Sequence, residues 1–185
     1  GPVCDIADDP KAFLYARSAG DNVEVVSEFV RAVVTASRQQ GLGCVLKHFP
    51  GYGNNADTHV GEAVDRRPLE AFESRDFLPF EAGIEAGAGA VMVSHNTMCC
   101  VDETLPASLS PAVHALLRGE LGFDGVVVSD DLDMAAVAQG ADQGELAVAA
   151  LLAGNDLLCT GSPLEASQAL LRALELTKGE ELPVH

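Results

Sequence analysis

A lysine, two histidines and an aspartate are crowded into one stretch, Lys47-His48-Phe49-Pro50-Gly51-Tyr52-Gly53-Asn54-Asn55-Ala56-Asp57-Thr58-His59. Asp57 and His59 are two residues apart, so in extended backbone both side chains leave the same face and can reach each other or one ligand. As a dyad, the carboxylate orients one ring nitrogen and raises the basicity of the other for proton exchange near neutral pH. The alternative is a turn, with Asp57 bonding its own backbone and His59 merely exposed. Asp130 directly follows the apolar run Val126-Val127-Val128-Ser129. A carboxylate there can serve as nucleophile, metal ligand or helix cap, whereas Asp131 and Asp133 read as caps or first-turn acids of a following helix. His48 and His95 at strand ends can hold substrate hydroxyls or a metal, though singly each reads as a satisfied core group. Lys47 beside His48 suggests a donor to a polar ligand.

The elements that must position these groups follow from patterning. The segment from Gly1 to Asp5 reads as a short apolar strand ending in an acid, and Asp8 to Gly20, containing Arg17, as loop. Val26, Phe29, Val30, Val33 and Val34 repeat at helical spacing between Val23 and Gln40, and Gly41 and Gly43 end that helix. Gly43 to Leu46 reads as strand, and the Pro/Gly/Asn-rich segment from Lys47 onward as a functional loop. Helices are expected over Pro68–Arg75 and Leu78–Glu85, with Pro79 in the first turn. A strand follows over Ala90–Ser94. A helix is capped by Ser110-Pro111 and runs to about Leu121. Gly125–Ser129 is the next strand, two helical pieces extend to about Ala153, and Asn155–Cys159 and Pro163–Lys178 are the last strand and helix.

The strands are continuous apolar runs alternating with helices, the pattern of a parallel sheet covered by helices. The ends of such strands share one face, where active sites are built, and there lie Asp5, Lys47-His48, His95-Asn96 and Asp130-Asp131. The fold class expected is α/β, a parallel sheet or a barrel. Five strand–helix units are counted; a full barrel of roughly 250 residues would need about three more, preceding Gly1. Residues 1–185 read as a single, N-terminally incomplete catalytic domain, whose open barrel edge would invite pairing with another chain.

The 185 residues are 48% apolar and 21% charged, a globular balance. With 28 acidic against 11 basic residues and a net charge of −17, the chain is a poor partner for nucleic acid or an anionic membrane, both of which select basic patches. No apolar run approaches the roughly 20 residues of a membrane span. Five cysteines are an odd number, and Cys4, Cys44 and Cys159 sit in strand-like runs; buried thiols in a reducing compartment fit them better than a disulfide framework, so the cytoplasm is expected, with an extracellular or envelope-attached location left open.

The stretch from Lys47 to Gly53 followed by Asp57-Thr58-His59 resembles the signature loop of family 3 glycoside hydrolases, in their bacterial β-N-acetylhexosaminidase branch. Pro106-Ala107-Ser108-Leu109-Ser110, Leu121-Gly122-Phe123-Asp124-Gly125, Val128-Ser129-Asp130-Asp131-Leu132 and Ala153-Gly154-Asn155-Asp156 resemble the same branch, in order. The resemblance implies a retaining glycosidase on a (β/α)8 barrel of the TIM type, of which about five strand–helix units are present, that needs no metal and no organic cofactor. It implies Asp130 as the nucleophile and His59 as acid/base, oriented by Asp57, in place of the usual second carboxylate. Lys47, His48 and Arg17 would hold sugar hydroxyls, and Asp5 would close the same pocket. The implied partner is a small carbohydrate with terminal β-linked N-acetylglucosamine, such as a muropeptide or chitin fragment. The sequence departs from the family at Tyr52, Asn54 and Asn55, where many members read Gly-His-Gly-Asp-Thr, and at Ala19, where Phe is usual; these bear on substrate preference. Other readings are a β-glucosidase-type family 3 hydrolase, a metal-dependent barrel enzyme using His48, His59, His95 and Asp130, and a non-catalytic sugar-binding fragment.

Overall fold

A computed structural model of the chain describes residues 1–161 together with 167, 168, 171, 174 and 175. Four strands form one parallel sheet in sequence order: β1 (Val45–Phe49), β3 (Ala90–Val93), β5 (Val126–Asp131) and β6 (Leu157–Cys159). Residues 2–4 lie along the free edge of β1, with Val3 bridging Lys47 in parallel and the Cys4 amide donating to the Lys47 carbonyl at 2.6 Å. Five neighbouring parallel segments in chain order are the wall of a barrel-type α/β fold.

Helices fill the connections because each strand must re-enter the sheet in the same direction. Helix α1 (Val23–Gln39) is capped by Asn22, whose side chain accepts from the Val25 amide, and buries Val26, Val30 and Val34. It packs on α3 (Leu78–Glu85), where the missing side chain of Gly83 admits Leu46 and Val30. Helix α4 (Pro111–Gly119) starts at the Ser110 cap and buries Val113 and Leu117. Helix α6 (Gln143–Ala153) starts at Asp142, which accepts from the Gly144 and Glu145 amides, and stops at Gly154, whose φ of 117° suits glycine. Leu46, Phe49, Val91, Val93 and Val127 from the sheet, with Phe72, Phe77 and Phe80, complete the main core. No helix among the described residues is long and apolar enough to cross a membrane.

The structure differs from expectation at several points. Strand β1 runs on through Lys47, His48 and Phe49, so these residues belong to the sheet and not to the loop. The segment after Pro68 is one short turn, α2 (Leu69–Ala71), that widens into a π-turn over Phe72–Asp76 and brings Asp76 inside. No helix begins at Asp131 or Asp133. The next one, α5 (Ala135–Ala138), has Met134 at its start and no side-chain cap. Asp131 and Asp133 instead tie down the end of β6. Asp131 Oδ1 accepts from the Asp133 and Gly161 amides, and Thr160 donates to Asp133 Oδ2. A second, two-stranded parallel pair joins β2 (Val64–Asp65) to β4 (Thr97–Met98), elements too short for alternation to announce. The helix expected over Pro163–Lys178 lies outside the described residues except at 167, 168, 171, 174 and 175, which are helical.

Candidate active site

The strand end of β1 is irregular in a way that serves the site. Leu46 pairs with Val91 but Phe49 pairs with Val93, so β1 carries one residue more than its partner across this interval. Regular alternation would send Lys47 and His48 to opposite faces. The bulge re-aims one of them, and both side chains line the same cleft. Asp5 fixes His48: its Oδ2 accepts from the His48 amide at 3.0 Å and from Nδ1–H at 2.7 Å, and its Oδ1 accepts from the Tyr52 amide at 2.7 Å. Nδ1 is thereby held as the donor, which leaves Nε2 as the ring's edge on the cleft. The Asp5 carboxylate itself has 0% exposure. The resemblance implies that Asp5 closes the pocket; in the structure it lies one layer behind the cleft and acts on it through His48 and Tyr52.

Beyond Pro50 the chain turns at Gly51, whose φ is 116° and where an added Cβ would stand only 2.7 Å from the Asp76 Cβ, so there is no room for a side chain. The loop is braced from outside. Asn54 accepts from the Asp8 and Asp9 amides, and Asn55 donates to Asp65. Asp65 and Asp76, both buried, share Arg67, which contacts each at 2.8 Å and stacks 4.4 Å from the Phe72 ring. Inside this frame Tyr52 is buried, and burial pushes its phenol above the usual range, so it keeps its proton. The Thr58 amide donates to the Tyr52 oxygen at 2.7 Å, and the two hydroxyls are hydrogen-bonded at 2.7 Å.

The Asp57–His59 geometry combines the two arrangements open to the sequence. Asp57 Oδ1 accepts from the His59 amide at 2.9 Å, making a turn, and from His59 Nδ1–H at 2.6 Å, orienting the ring. The His59 side chain is 56% exposed, with the Phe13 ring edge-on at 5.5 Å. Nε2 is therefore the nitrogen available for proton exchange.

Asp130 comes from β5. Its Oδ1 accepts from the Asp131 amide at 2.9 Å, and the strand beneath it is pinned where the Cys159 amide donates to Ser129 Oγ. His95 braces the same strand end. Its Nε2–H donates to the Asp131 carbonyl at 2.8 Å, so its neutral Nδ1 accepts from Ser108 Oγ–H at 2.7 Å. Burial holds the His95 imidazole below its ordinary range, in keeping with that neutral form. With both nitrogens engaged by protein, His95 does not face the ligand cleft.

Arg17, Lys47, His48, His59 and Asp130 line one cleft of about 170 Å³. Its remaining walls are Phe13, Tyr52, Thr58, Met92 and Met134. A single carboxylate thus faces two cations and two histidines, one of them proton-active by geometry. Tyr52, Phe13, Met92 and Met134 were not foreseen. The position of Met92 between buried Val91 and Val93 is a signal of an opposite-facing side chain, whereas nothing in the sequence marks Phe13. Among the described residues no group of three or more His, Cys, Asp or Glu side chains is arranged to hold a metal ion. A larger groove, about 950 Å³, opens at the opposite ends of the strands beside Gly89, Gly125 and Asp156, far from these groups.

Comparison with known proteins places this architecture. The model of the glycosyl hydrolase family 3 N-terminal domain matches residues 1–182. A protein of Xanthomonas oryzae pv. oryzae named Beta-hexosaminidase is 39% identical over 183 residues, 98% of this chain and 53% of that protein. The solved structure of M. tuberculosis LpqI superposes with a TM-score of 0.91 at 33% identity, covering 99% of this chain and 55% of that one. A family 3 β-N-acetylglucosaminidase from Paenibacillus sp. str. FPU-7 gives a TM-score of 0.83 at 30% identity, over all of this chain and 41% of that one. The chain spans about half the length of the curated relatives it matches. With a family match over nearly its whole length and a parallel barrel wall bearing polar strand ends on one face, the chain belongs to glycoside hydrolase family 3.

Proposed function

We propose that this chain carries the reacting groups of a retaining β-N-acetylhexosaminidase that removes terminal β-linked N-acetylglucosamine. In the first step an Asp130 carboxylate oxygen attacks the anomeric carbon while the bond to the leaving oxygen breaks. The His59 imidazolium gives its Nε2 proton to that oxygen, and a glycosyl ester of Asp130 forms. In the second step water attacks the same carbon, neutral His59 takes the water's proton, and the ester bond breaks to return the Asp130 carboxylate. Asp57 keeps Nδ1 protonated in both steps, which directs all proton traffic through Nε2. Lys47, Arg17 and His48 Nε2 hold sugar hydroxyls, and Asp5 fixes the orientation of His48.

The observation that carries this reading is the 2.6 Å Asp57–His59 contact in the cleft that also holds Asp130. The names of the relatives, Beta-hexosaminidase and β-N-acetylglucosaminidase, support the substrate class. The test is hydrolysis of an aryl β-N-acetylglucosaminide with and without EDTA, by the parent chain, Asp130→Asn and His59→Ala. The parent turns over regardless of EDTA, Asp130→Asn is inactive, and His59→Ala loses most on poor leaving groups, by roughly 10²–10⁴-fold. Activity abolished by EDTA would replace this reading with the metal-dependent one, and full activity in Asp130→Asn would remove the nucleophile assignment.

A further inference from the structure

The groups that must deliver the proton sit on a loop with little burial of their own. His59 is 56% exposed at the side chain and Asp57 27%, yet Thr58 between them is 0% exposed. Among the described residues, the hydrogen bonds that tie residues 57–60 to the rest of the protein converge on Thr58. Two go to the Tyr52 phenol, one from the amide and one from the hydroxyl, and one runs from the Ala136 amide to the Thr58 carbonyl. The bonds made by Asp57 and His59 stay within the loop. Tyr52 is itself fixed, because its amide donates to Asp5 Oδ1 and its ring meets the His48 ring edge-on at 5.9 Å.

We propose that Tyr52 is the positioning residue of the proton donor: through Thr58 its phenol oxygen holds the Asp57–His59 pair at the cleft. Tyr52 also makes one hydrogen-bonded path, His48–Asp5–Tyr52–Thr58, that joins the hydroxyl-binding end of the cleft to the acid/base end. A proton donor displaced by an ångström loses much of its effect, whereas ground-state sugar contacts are untouched. Tyr52 therefore governs kcat on substrates that need protonation, and not KM.

The proposal rests on the hydrolase reading, and its test separates the two. Tyr52→Phe keeps the ring and the amide bond to Asp5 and removes only the oxygen. Exchange of the Thr58 amide proton, followed by NMR, accelerates by roughly tenfold or more, the worth of one buried hydrogen bond. On an alkyl β-N-acetylglucosaminide kcat falls roughly 10–100-fold with KM little changed, while kcat/KM on an activated aryl glycoside, which reports the first step alone, falls by less than about threefold. Thr58→Val, which removes only the hydroxyl bond and keeps the amide bond, gives a smaller loss of the same selectivity, and the double variant is no worse than Tyr52→Phe alone, which already lacks both bonds; the two effects are non-additive. An equal loss across leaving groups, additive effects, or unchanged Thr58 exchange overturns the positioning role. If the parent chain hydrolyses neither glycoside, the hydrolase reading fails, and the exchange measurement alone still decides whether Tyr52 holds the loop.

Discussion

Replacing Arg67 with methionine is a severe test of how the site loop is held. The guanidinium bonds Asp65 through Nε at 3.0 Å and a terminal nitrogen at 2.8 Å, and bonds Asp76 at 2.8 Å. Both carboxylates are buried, at 4% and 1% exposure. Methionine keeps an apolar stem against Phe72 but leaves two buried carboxylates without their counter-charge. Breaking a buried ion pair from one side costs about 3–5 kcal/mol. Because the Arg67 side chain is 31% exposed, water compensates in part, and the low end, about 3 kcal/mol, is expected. That is a large share of the roughly 5–15 kcal/mol that stabilises a small domain. The sign of the pH dependence follows. Burial pushes Asp65 upward, but its bonds from Arg67, the Arg67 amide and Asn55 outweigh this and hold it below the usual range. Asp76, more buried, is raised. Without Arg67 both folded-state values rise relative to the parent. The folded variant then binds protons more readily than the folded parent, and its deficit shrinks as pH falls. Urea titrations of parent and variant near pH 7 and pH 5 measure this. A deficit below about 1 kcal/mol near pH 7, or one that does not narrow near pH 5, would refute the assignment of Arg67 as the counter-charge.

Other consequences follow from buried polar groups elsewhere. Burial holds His95 and His114 below the ordinary imidazole range, so each stays neutral when folded and takes a proton when unfolded. Their contribution is complete above about pH 6.5 and is lost as pH falls, so Tm drops on going from near pH 7 to near pH 5, and His114→Gln flattens that slope in a thermal melt series. Ser110 caps α4 by accepting from the Val113 amide while its own O–H donates to Asp102. Ser110→Ala therefore lowers stability by about 1 kcal/mol in denaturant titration.

The order of elements was legible because the main helices are bounded by a glycine, a proline or a capping side chain, as at Gly41, Ser110-Pro111 and Gly154. That polar strand ends share a face follows from parallel topology, and the i, i+2 spacing of Asp57 and His59 already permitted their contact. What stayed hidden depends on partners remote in sequence. The bulge that turns both Lys47 and His48 to one cleft is a matter of register against Val91 and Val93. The two-residue strands Val64–Asp65 and Thr97–Met98 carry no periodicity. Asp131 and Asp133 look like helix caps because acids precede an apolar run, yet the chain spends them on Gly161 and Thr160. Tyr52 reads as a loop aromatic until its oxygen is seen to bond Thr58, six residues on.

The most direct measurement of the central claim is the intact mass of the chain after reaction with an N-acetylglucosaminide that has a good leaving group and a ring fluorine to slow the second step. The account predicts a gain of one sugar residue, mapped by peptide analysis to Asp130 and absent in Asp130→Asn. Hydrolysis by the parent chain with no adduct, or an adduct on any other residue, would contradict it.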